Sequence, residues 1–355
     1  MLINISLLLM ILIVIYSVGR TLFLANQGHS FMTVESTSAL RGLAIIMIVF
    51  SHICQYEPDF NEIILGGHLT TIMVFSWGAV GVAIFFILSG YGCFLSISKS
   101  ENNASWTLKH IAKMLCHFVI AYVIVIGILC LIFRENIKLK DIFLCLLSLR
   151  MPGSTTWYLK IQMLFYIFLY GVIKINKRYA HILIIILSLV YAFIANFGLE
   201  LADYWWKTSL CFAAGCWIGK YKDKIEKYTS KNLWKILIVA SGMLGYIAIL
   251  KDGHYRIFIQ LIAYVLIAFS LVMLWDWFGK SNKFFKLIGI CSLDIYLVHI
   301  GIVDRLYLQN IDTNIKIVIF VIIVGIGTVG GYYISESGYK KLIHFFIKVS
   351  SQKDS

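Results

Sequence analysis

The sequence predicts an all-α fold, a polytopic membrane helix bundle of about ten core transmembrane helices plus one extra N-terminal helix. Composition is the first reason: of 355 residues, 60% are hydrophobic and 14% are charged, whereas about a quarter of the residues in a soluble domain are charged. The apolar residues also form continuous runs of helical length, unlike the alternating segments of an outer-membrane barrel. Finally, basic connections alternate with acidic or mixed connections along the chain, as the positive-inside rule requires.

The first apolar run, residues 2–18, has neither a basic n-region nor a small-residue cleavage site, which favours an uncleaved helix over a signal peptide. Residues 1–37 are therefore assigned to an N-terminal transmembrane helix and connector, 38–340 to the membrane domain and 341–355 to a cytoplasmic tail. The core spans are predicted at 39–56, 71–97, 111–133, 157–175, 179–197, 204–219, 233–250, 255–278, 286–304 and 315–335.

The net charge of +13 is explained by membrane orientation. The lysine-rich connection at 220–235 and the C-terminus are expected in the cytoplasm, and the connection with Glu200 and Asp203 is expected outside. No basic domain interleaved with aromatic residues is present, so no binding of nucleic acid is expected. The eight cysteines lie in or beside apolar runs without a CxxC pair, so neither a metal site nor a disulfide framework is expected.

Two ionisable residues, Arg41 and His52, lie on the apolar run at 39–56. They are eleven residues apart, about three helical turns, so both side chains are predicted on one helix face. An ionisable group on an apolar helix costs about 2.5–3.5 kcal/mol on insertion scales, so two on one face indicate a polar path inside the bundle. The alternative for His52 is a buried histidine that is only hydrogen-bonded, although its chemistry also suits proton abstraction from a hydroxyl group.

The next two spans carry motifs that each have more than one interpretation. Ser89 and Gly90 lie in the middle of an apolar run, where they can free a backbone carbonyl, bend the helix or let a neighbouring helix approach closely. Lys109, His110 and Lys113 lie at the start of the following span. These basic residues either anchor the helix at the cytoplasmic surface or form a cradle for an anionic ligand.

Two later spans carry polar residues at helical spacing. On the span at 157–175 a polar residue recurs every four positions, a pattern that an interfacial aromatic belt does not require; these residues are Tyr158, Gln162 and Tyr166. On the span at 286–304, Ser292, Tyr296 and His299 share a face, while Asp294 lies off that face, where it can pair elsewhere. By residue count His299 lies at nearly the same depth as His52, about 20 Å from the cytoplasmic end.

Taken together and in order, these motifs resemble acyltransferase family 3, multi-pass membrane enzymes that typically have about ten core helices. The resemblance covers about residues 35–340. It rests on Arg-x10-His in an early span, Phe-Phe-x-Leu-Ser-Gly-Tyr in the next, Trp-Tyr-Leu opening a later span and Ser-x3-Tyr-Leu-x-His near the end. It implies transfer of an acyl group, most often acetyl, from cytoplasmic acyl-CoA to a hydroxyl of a surface polysaccharide or lipid-linked glycan at the cell (plasma) membrane.

The resemblance also implies roles for individual residues. Arg41 and His52 match the essential pair of the family, and His299 is expected to join them in catalysis. The residues assigned to substrate binding are Ser89, Gly90, Tyr91, Tyr158, Gln162 and Tyr296. The family often carries Arg-x-x-Arg, thought to meet the phosphates of coenzyme A; the corresponding residues here are Lys109, His110 and Lys113. These residues keep the positive charge of the motif but not its paired guanidiniums. Acetyl-CoA is the expected co-substrate, and no metal is expected.

The expected partners are acyl-CoA, membrane lipids and a glycan or lipid-linked acceptor. Many relatives also carry an extracytoplasmic hydrolase-like domain that completes the transfer. This chain lacks one, so it is expected to act alone or to pass the acyl group to a separate extracytoplasmic acceptor protein. The alternative function is a transporter or flippase of lipid-linked glycans, although the inverted repeats that many transporters contain are not visible in the sequence.

Overall fold

The computed structural model describes residues 31–56, 68–100, 102–152, 154, 156–229, 231–251, 257–278, 282–309, 311 and 313–353. These residues are almost entirely α-helical and contain no β-strand, only an isolated bridge between Met151 and Ser154. The all-α prediction is therefore confirmed for the described part of the chain. The helix expected at residues 2–18 lies outside it.

Most of the long predicted spans correspond to single helices. Within the described ranges, seven helices are long and apolar enough to cross a bilayer, with an eighth if α8 and α9, which are bent by 101° against each other, form one span. The helices of the described residues are α1 (Val34–Tyr56), α2 (His68–Ser98), α3 (Asn103–Leu131), α4 (Leu139–Leu147), α5 (Trp157–Asn176), α6 (Ala180–Phe193), α7 (Leu210–Lys220), α8 (Lys222–Thr229), α9 (Asn232–Lys251), α10 (Ile257–Phe278), α11 (Lys283–Ile290), α12 (Ser292–Ile300), α13 (Val303–Tyr307) and α14 (Thr313–Lys353).

Two predicted spans are built differently from a single membrane-crossing helix. In the span predicted at 204–219, only Leu210–Lys220 is α-helical, a length of about 16 Å against a hydrocarbon core of about 30 Å. In the span predicted at 286–304, α11 ends at Ile290 and α12 begins at Ser292. The break occurs because Cys291 leaves the helical backbone conformation, with φ −90° and ψ 8°.

The chain divides into two compact units, the first formed by residues up to 101 and by residues 167–290. Its most buried helix is α2, which packs against α1 and α7. Glycines on α2 allow these close contacts: a Cβ atom on Gly81 would lie 2.6 Å from the carbonyl oxygen of Ala44 on α1, and one on Gly90 would collide with the carbonyl of Phe212 on α7. Close backbone approach at small residues is a usual way for membrane helices to associate.

The second unit is formed by residues 102–166 and 291–355, and α3, α12 and α14 pack together in it. The longest helix, α14, has 41 residues. The amphipathic α4 has no fully buried residue; the Tyr122 hydroxyl on α3 donates a hydrogen bond of 2.8 Å to the Ile142 carbonyl and holds it in place. In the same unit, Nε of Arg305 on the short helix α13 lies 2.7 Å from Oε1 of Glu135, and the two side chains form an ion pair.

Candidate active site

Arg41 and His52 lie on α1, which is continuous through both residues, and both side chains are partly buried. An eleven-residue separation on one continuous helix places them on the same face. Helix α11 is fixed against the start of α1 by two glycines: Gly42 faces the Phe285 carbonyl, and Gly289 faces the Ser38 carbonyl. Because neither position has space for a Cβ atom, the backbone on either side of Arg41 is held closely in this unit.

The Ser89-Gly90-Tyr91 motif lies inside α2, which continues to Ser98. Gly90 belongs to a reciprocal contact with α7, since a Cβ atom on Gly90 would meet the Phe212 carbonyl and one on Gly215 would meet the Ile87 carbonyl. Of the interpretations of this motif, close helix approach therefore describes Gly90. The Tyr91 side chain is buried and that of Ser89 is partly buried.

In the second unit, His110 belongs to an aromatic cluster at the start of α3. Its ring stacks on Trp106 with a centroid distance of 3.8 Å, and Tyr166 lies edge-on to both rings. His110 Nδ1 lies 2.8 Å from the Trp106 carbonyl oxygen; because a carbonyl only accepts, Nδ1 is the donor and carries the hydrogen. The neighbouring Lys109 is exposed.

Lys113 lies one turn further along α3 and is paired with a carboxylate of the protein itself. Its Nζ lies 2.5 Å from Oε1 of Glu336 on α14 and 5.7 Å from the centre of the Tyr339 ring. The basic group expected to bind an anion thus has one member, Lys113, that already contacts a carboxylate and another, Lys109, that is exposed.

His117, one turn further again on α3, forms a buried pair that the sequence analysis did not assign. Its Nδ1 lies 2.9 and 3.0 Å from the two carboxylate oxygens of Asp294 on α12. Asp294, which the sequence places off the face of His299, therefore pairs with a residue that was not predicted as its partner. The available signal was an ionisable residue four positions after Lys113, on the same face of an apolar helix.

The remaining predicted residues of the second unit form a line of aromatic and polar side chains. Tyr158 on α5 meets Tyr296 on α12 edge-on at 5.6 Å between ring centres, and Tyr296 lies 5.8 Å from the His299 ring. His299 Nδ1 lies 2.8 Å from the Ile295 carbonyl oxygen. Gln162, four residues after Tyr158, is 1% exposed, and neither of its amide atoms has a hydrogen-bond partner among the described residues.

The structure therefore groups the predicted residues within each unit. The first unit holds Arg41 and His52 on one face of α1 and the Ser-Gly-Tyr motif on α2. The second holds the basic residues of α3, the line from Tyr158 to His299, and the His117–Asp294 pair. Chemically, a guanidinium and an imidazole on one face can stabilise developing negative charge and move a proton. The cations of α3 can neutralise an anionic ligand.

Comparison with known proteins identifies the family. No curated protein and no solved structure matches the chain. Residues 34–336, nearly the whole chain, match the family model described as an acyltransferase domain. This match and the apolar helices show a multi-pass membrane protein that is an acyltransferase, and they favour an enzyme over the transporter alternative. The chain belongs to acyltransferase family 3.

Proposed function

We propose that this membrane acyltransferase is an O-acetyltransferase of the plasma membrane. It transfers an acetyl group from cytoplasmic acetyl-CoA to a hydroxyl of a surface polysaccharide or lipid-linked glycan. The observation that carries the proposal is a guanidinium, Arg41, and an imidazole, His52, on one face of the apolar helix α1. Such a pair supplies the two functions that thioester alcoholysis needs: stabilisation of charge on the carbonyl oxygen and removal of a hydroxyl proton.

In the proposed reaction, the acceptor hydroxyl oxygen attacks the thioester carbonyl carbon, a C–O bond forms, and the C–S bond breaks. Coenzyme A leaves as the thiolate with the electron pair, and His52 takes the hydroxyl proton. Arg41 orients the donor or stabilises the oxyanion. In the alternative route, a His52 ring nitrogen attacks the thioester carbon, a C–N bond forms, the C–S bond breaks and coenzyme A leaves as the thiolate. The acceptor hydroxyl oxygen then attacks the acyl carbon, the C–N bond breaks, and the released imidazole takes the hydroxyl proton. His299, Tyr296 and Tyr158 orient the acceptor or polarise the carbonyl.

The donor is proposed to bind through its phosphates at the start of α3. Lys109 is exposed and Lys113 is partly exposed there, and cations near a helix start attract and hold phosphate groups. The aromatic surface of Trp106 and His110 lies beside them. With the C-terminus in the cytoplasm, the positive-inside rule favours the same side for this basic end of α3.

The acceptor is a glycan or lipid-linked glycan, reached directly or through a separate extracytoplasmic acceptor protein. Glycan mass spectrometry of a deletion strain beside its parent tests this part. We expect the deletion strain to lack one acetyl group on the modified sugar. Identical glycan masses in the two strains would contradict the proposed acceptor class.

The proposed chemistry predicts that His52→Ala abolishes transfer in protein that remains folded. Replacing a general base is expected to lower the rate by about 10²–10⁴-fold. The measurement is thiol release from acetyl-CoA per mole of monodisperse, detergent-purified protein with a glycan acceptor present. His181→Ala is the control, because His181 is another histidine of the first unit, buried and bonded at 3.1 Å to Tyr221, and has no role in the proposed chemistry.

If His52 only packed, His52→Ala would lower the amount of folded protein, as we expect of His181→Ala, and the activity per folded molecule would stay near wild type. That result would move the base assignment to His299. Absence of thiol release by the wild type would contradict the acyl-CoA donor.

A further inference from the structure

Four charged or titratable side chains form a cluster inside the second unit, and of these the proposed chemistry uses Lys113 alone. This charge cluster consists of Lys113 and His117 on α3, Asp294 on α12 and Glu336 on α14. The His117 and Asp294 side chains are only 4% and 1% exposed. Those of Lys113 and Glu336 are 43% and 21% exposed, so the cluster has a closed end and an accessible end.

At the closed end, His117 is bonded on one side of its ring. Because an ionised carboxylate only accepts hydrogen bonds, the Nδ1 that faces Asp294 at 2.9 Å is the donor. The other nitrogen, Nε2, is buried and has no hydrogen-bond partner among the described residues. It lies 3.6 Å from Glu336 Oε1, so a movement of about 0.6 Å would bring the two to an ordinary bond length of about 3.0 Å.

At the accessible end, the same Glu336 oxygen is held by Lys113. The distance from Lys113 Nζ to Oε1 is 2.5 Å. The same carboxylate oxygen therefore faces both Lys113, to which it is bonded, and His117 Nε2, which lies just beyond hydrogen-bonding distance at 3.6 Å. With His117 protonated, the two cations balance the carboxylates of Asp294 and Glu336. A neutral set of paired groups is what an apolar helix bundle tolerates best.

We propose that Glu336 is an internal anion that occupies the cationic site at Lys113 and is displaced onto His117 when the phosphate-bearing donor binds. The inference rests on the proposed donor site and adds the residue that competes for it. Both carboxylates of the charge cluster stay paired in this exchange, because the His117 Nε2–H group replaces the bond that Lys113 releases. Asp294 links this exchange to α12, the helix that also carries Tyr296 and His299.

The first test is titration of purified full-length protein with coenzyme A at low and high salt. Removing the competitor by Glu336→Gln is expected to tighten coenzyme A binding about fivefold, the upper range for a partly exposed ion pair, and the gain should shrink at high salt. Adding Lys113→Gln should abolish the gain. Glu35→Gln is the matched control, because it breaks a 2.6 Å lysine–glutamate pair with Lys286 in the first unit and should leave affinity unchanged.

The second test removes the position to which Glu336 moves. Replacing His117 and Asp294 together by leucine deletes both buried charges, an exchange that proteins commonly tolerate. Coenzyme A should then bind about fivefold more weakly, because a displaced Glu336 has no second partner. Adding Glu336→Gln should restore the affinity. A second version, His117→Met with Asp294→Leu, likewise leaves no hydrogen-bond donor for Glu336 at this position and replaces the leucine pair if that variant aggregates.

The outcomes separate the inference from the proposed function. Unchanged or weaker coenzyme A binding in Glu336→Gln, with an active wild type, would show that the Lys113–Glu336 pair is only structural. Wild-type affinity in the His117 and Asp294 double variants would overturn the transfer of Glu336 to His117. A wild-type protein that neither binds coenzyme A nor releases thiol from acetyl-CoA would overturn the proposed donor, and the inference with it.

Discussion

Arg41 offers a test of whether catalysis uses its charge or its geometry. Lysine keeps the positive charge but loses the planar fork of five donors. Because Arg41 is assigned an orienting role, we expect Arg41→Lys to lose about 10²–10³-fold in activity, the usual effect of removing one oxyanion donor. The measurement is acetyl transfer per mole of folded protein.

The control for this substitution is Arg178→Lys. Arg178 is exposed, its guanidinium lies 5.5 Å from the ring of Tyr179, and it has no role in the proposed chemistry, so its replacement should leave activity unchanged. Near-wild-type transfer by Arg41→Lys would show that a point charge suffices at this position.

At the level of residues, the sequence reveals only those groups that are related along one helix. Arg41 and His52 could be found because their spacing alone puts them on one face of α1. The His117–Asp294 bond joins positions 177 residues apart, and no local pattern connects them. For Asp294 the sequence could predict that a buried carboxylate needs a partner, but the partner is chosen by the packing of α12 against α3.

At the level of elements, the contact between α2 and α7 yields a prediction with a control on the same helix. Gly90→Ala places a Cβ atom against the Phe212 carbonyl, and such overpacking typically costs about 1–3 kcal/mol of stability. Gly92→Ala meets no atom within 4 Å, so it should be neutral or slightly stabilising, by up to about 1 kcal/mol from helix propensity. The thermal midpoints of the two purified variants and of wild type provide the comparison.

Equal midpoints for Gly90→Ala and Gly92→Ala would contradict the close contact between α2 and α7. If Gly90 has the substrate-binding role expected from its motif in addition to packing, activity per folded molecule should also fall in Gly90→Ala. If it only packs, activity should follow the folded fraction.

Two predicted spans are not continuous α-helices: residues 203–209 form turns before α7 begins, and the helix breaks at Cys291. These two places show why the ends of helices were predicted less well than the apolar runs themselves. Hydropathy averages over a window, so it registers that both stretches are apolar and cannot detect a single residue that leaves the helical conformation. A buried segment also need not span the bilayer as one helix, because surrounding protein can shield irregular backbone from lipid. Most residues of α7 are buried within its unit, which fits this explanation.

At the level of the whole molecule, membrane class and family were predictable because both depend on features that are spread over the chain. Composition and alternating loop charge predict many membrane helices, and four ordered motifs predict the family that residues 34–336 match. The division into units was not predictable. The second unit combines residues 102–166 with 291–355, and only tertiary packing brings such distant segments together.

The orientation of the molecule provides the last prediction, and it depends on whether the short α7 segment crosses the bilayer. Loop charge predicts that Leu199 lies outside and Tyr228 inside, with a 3-10 turn, a further turn and α7 between them. Both side chains are exposed.

Single cysteines at the two positions, on a cysteine-depleted background, are treated with an impermeant maleimide in intact cells. We expect labelling of Leu199→Cys at once and of Tyr228→Cys only after the cells are permeabilised. Labelling of both in intact cells would mean that residues 203–220 do not cross, which would contradict the cytoplasmic assignment of the lysine-rich connection.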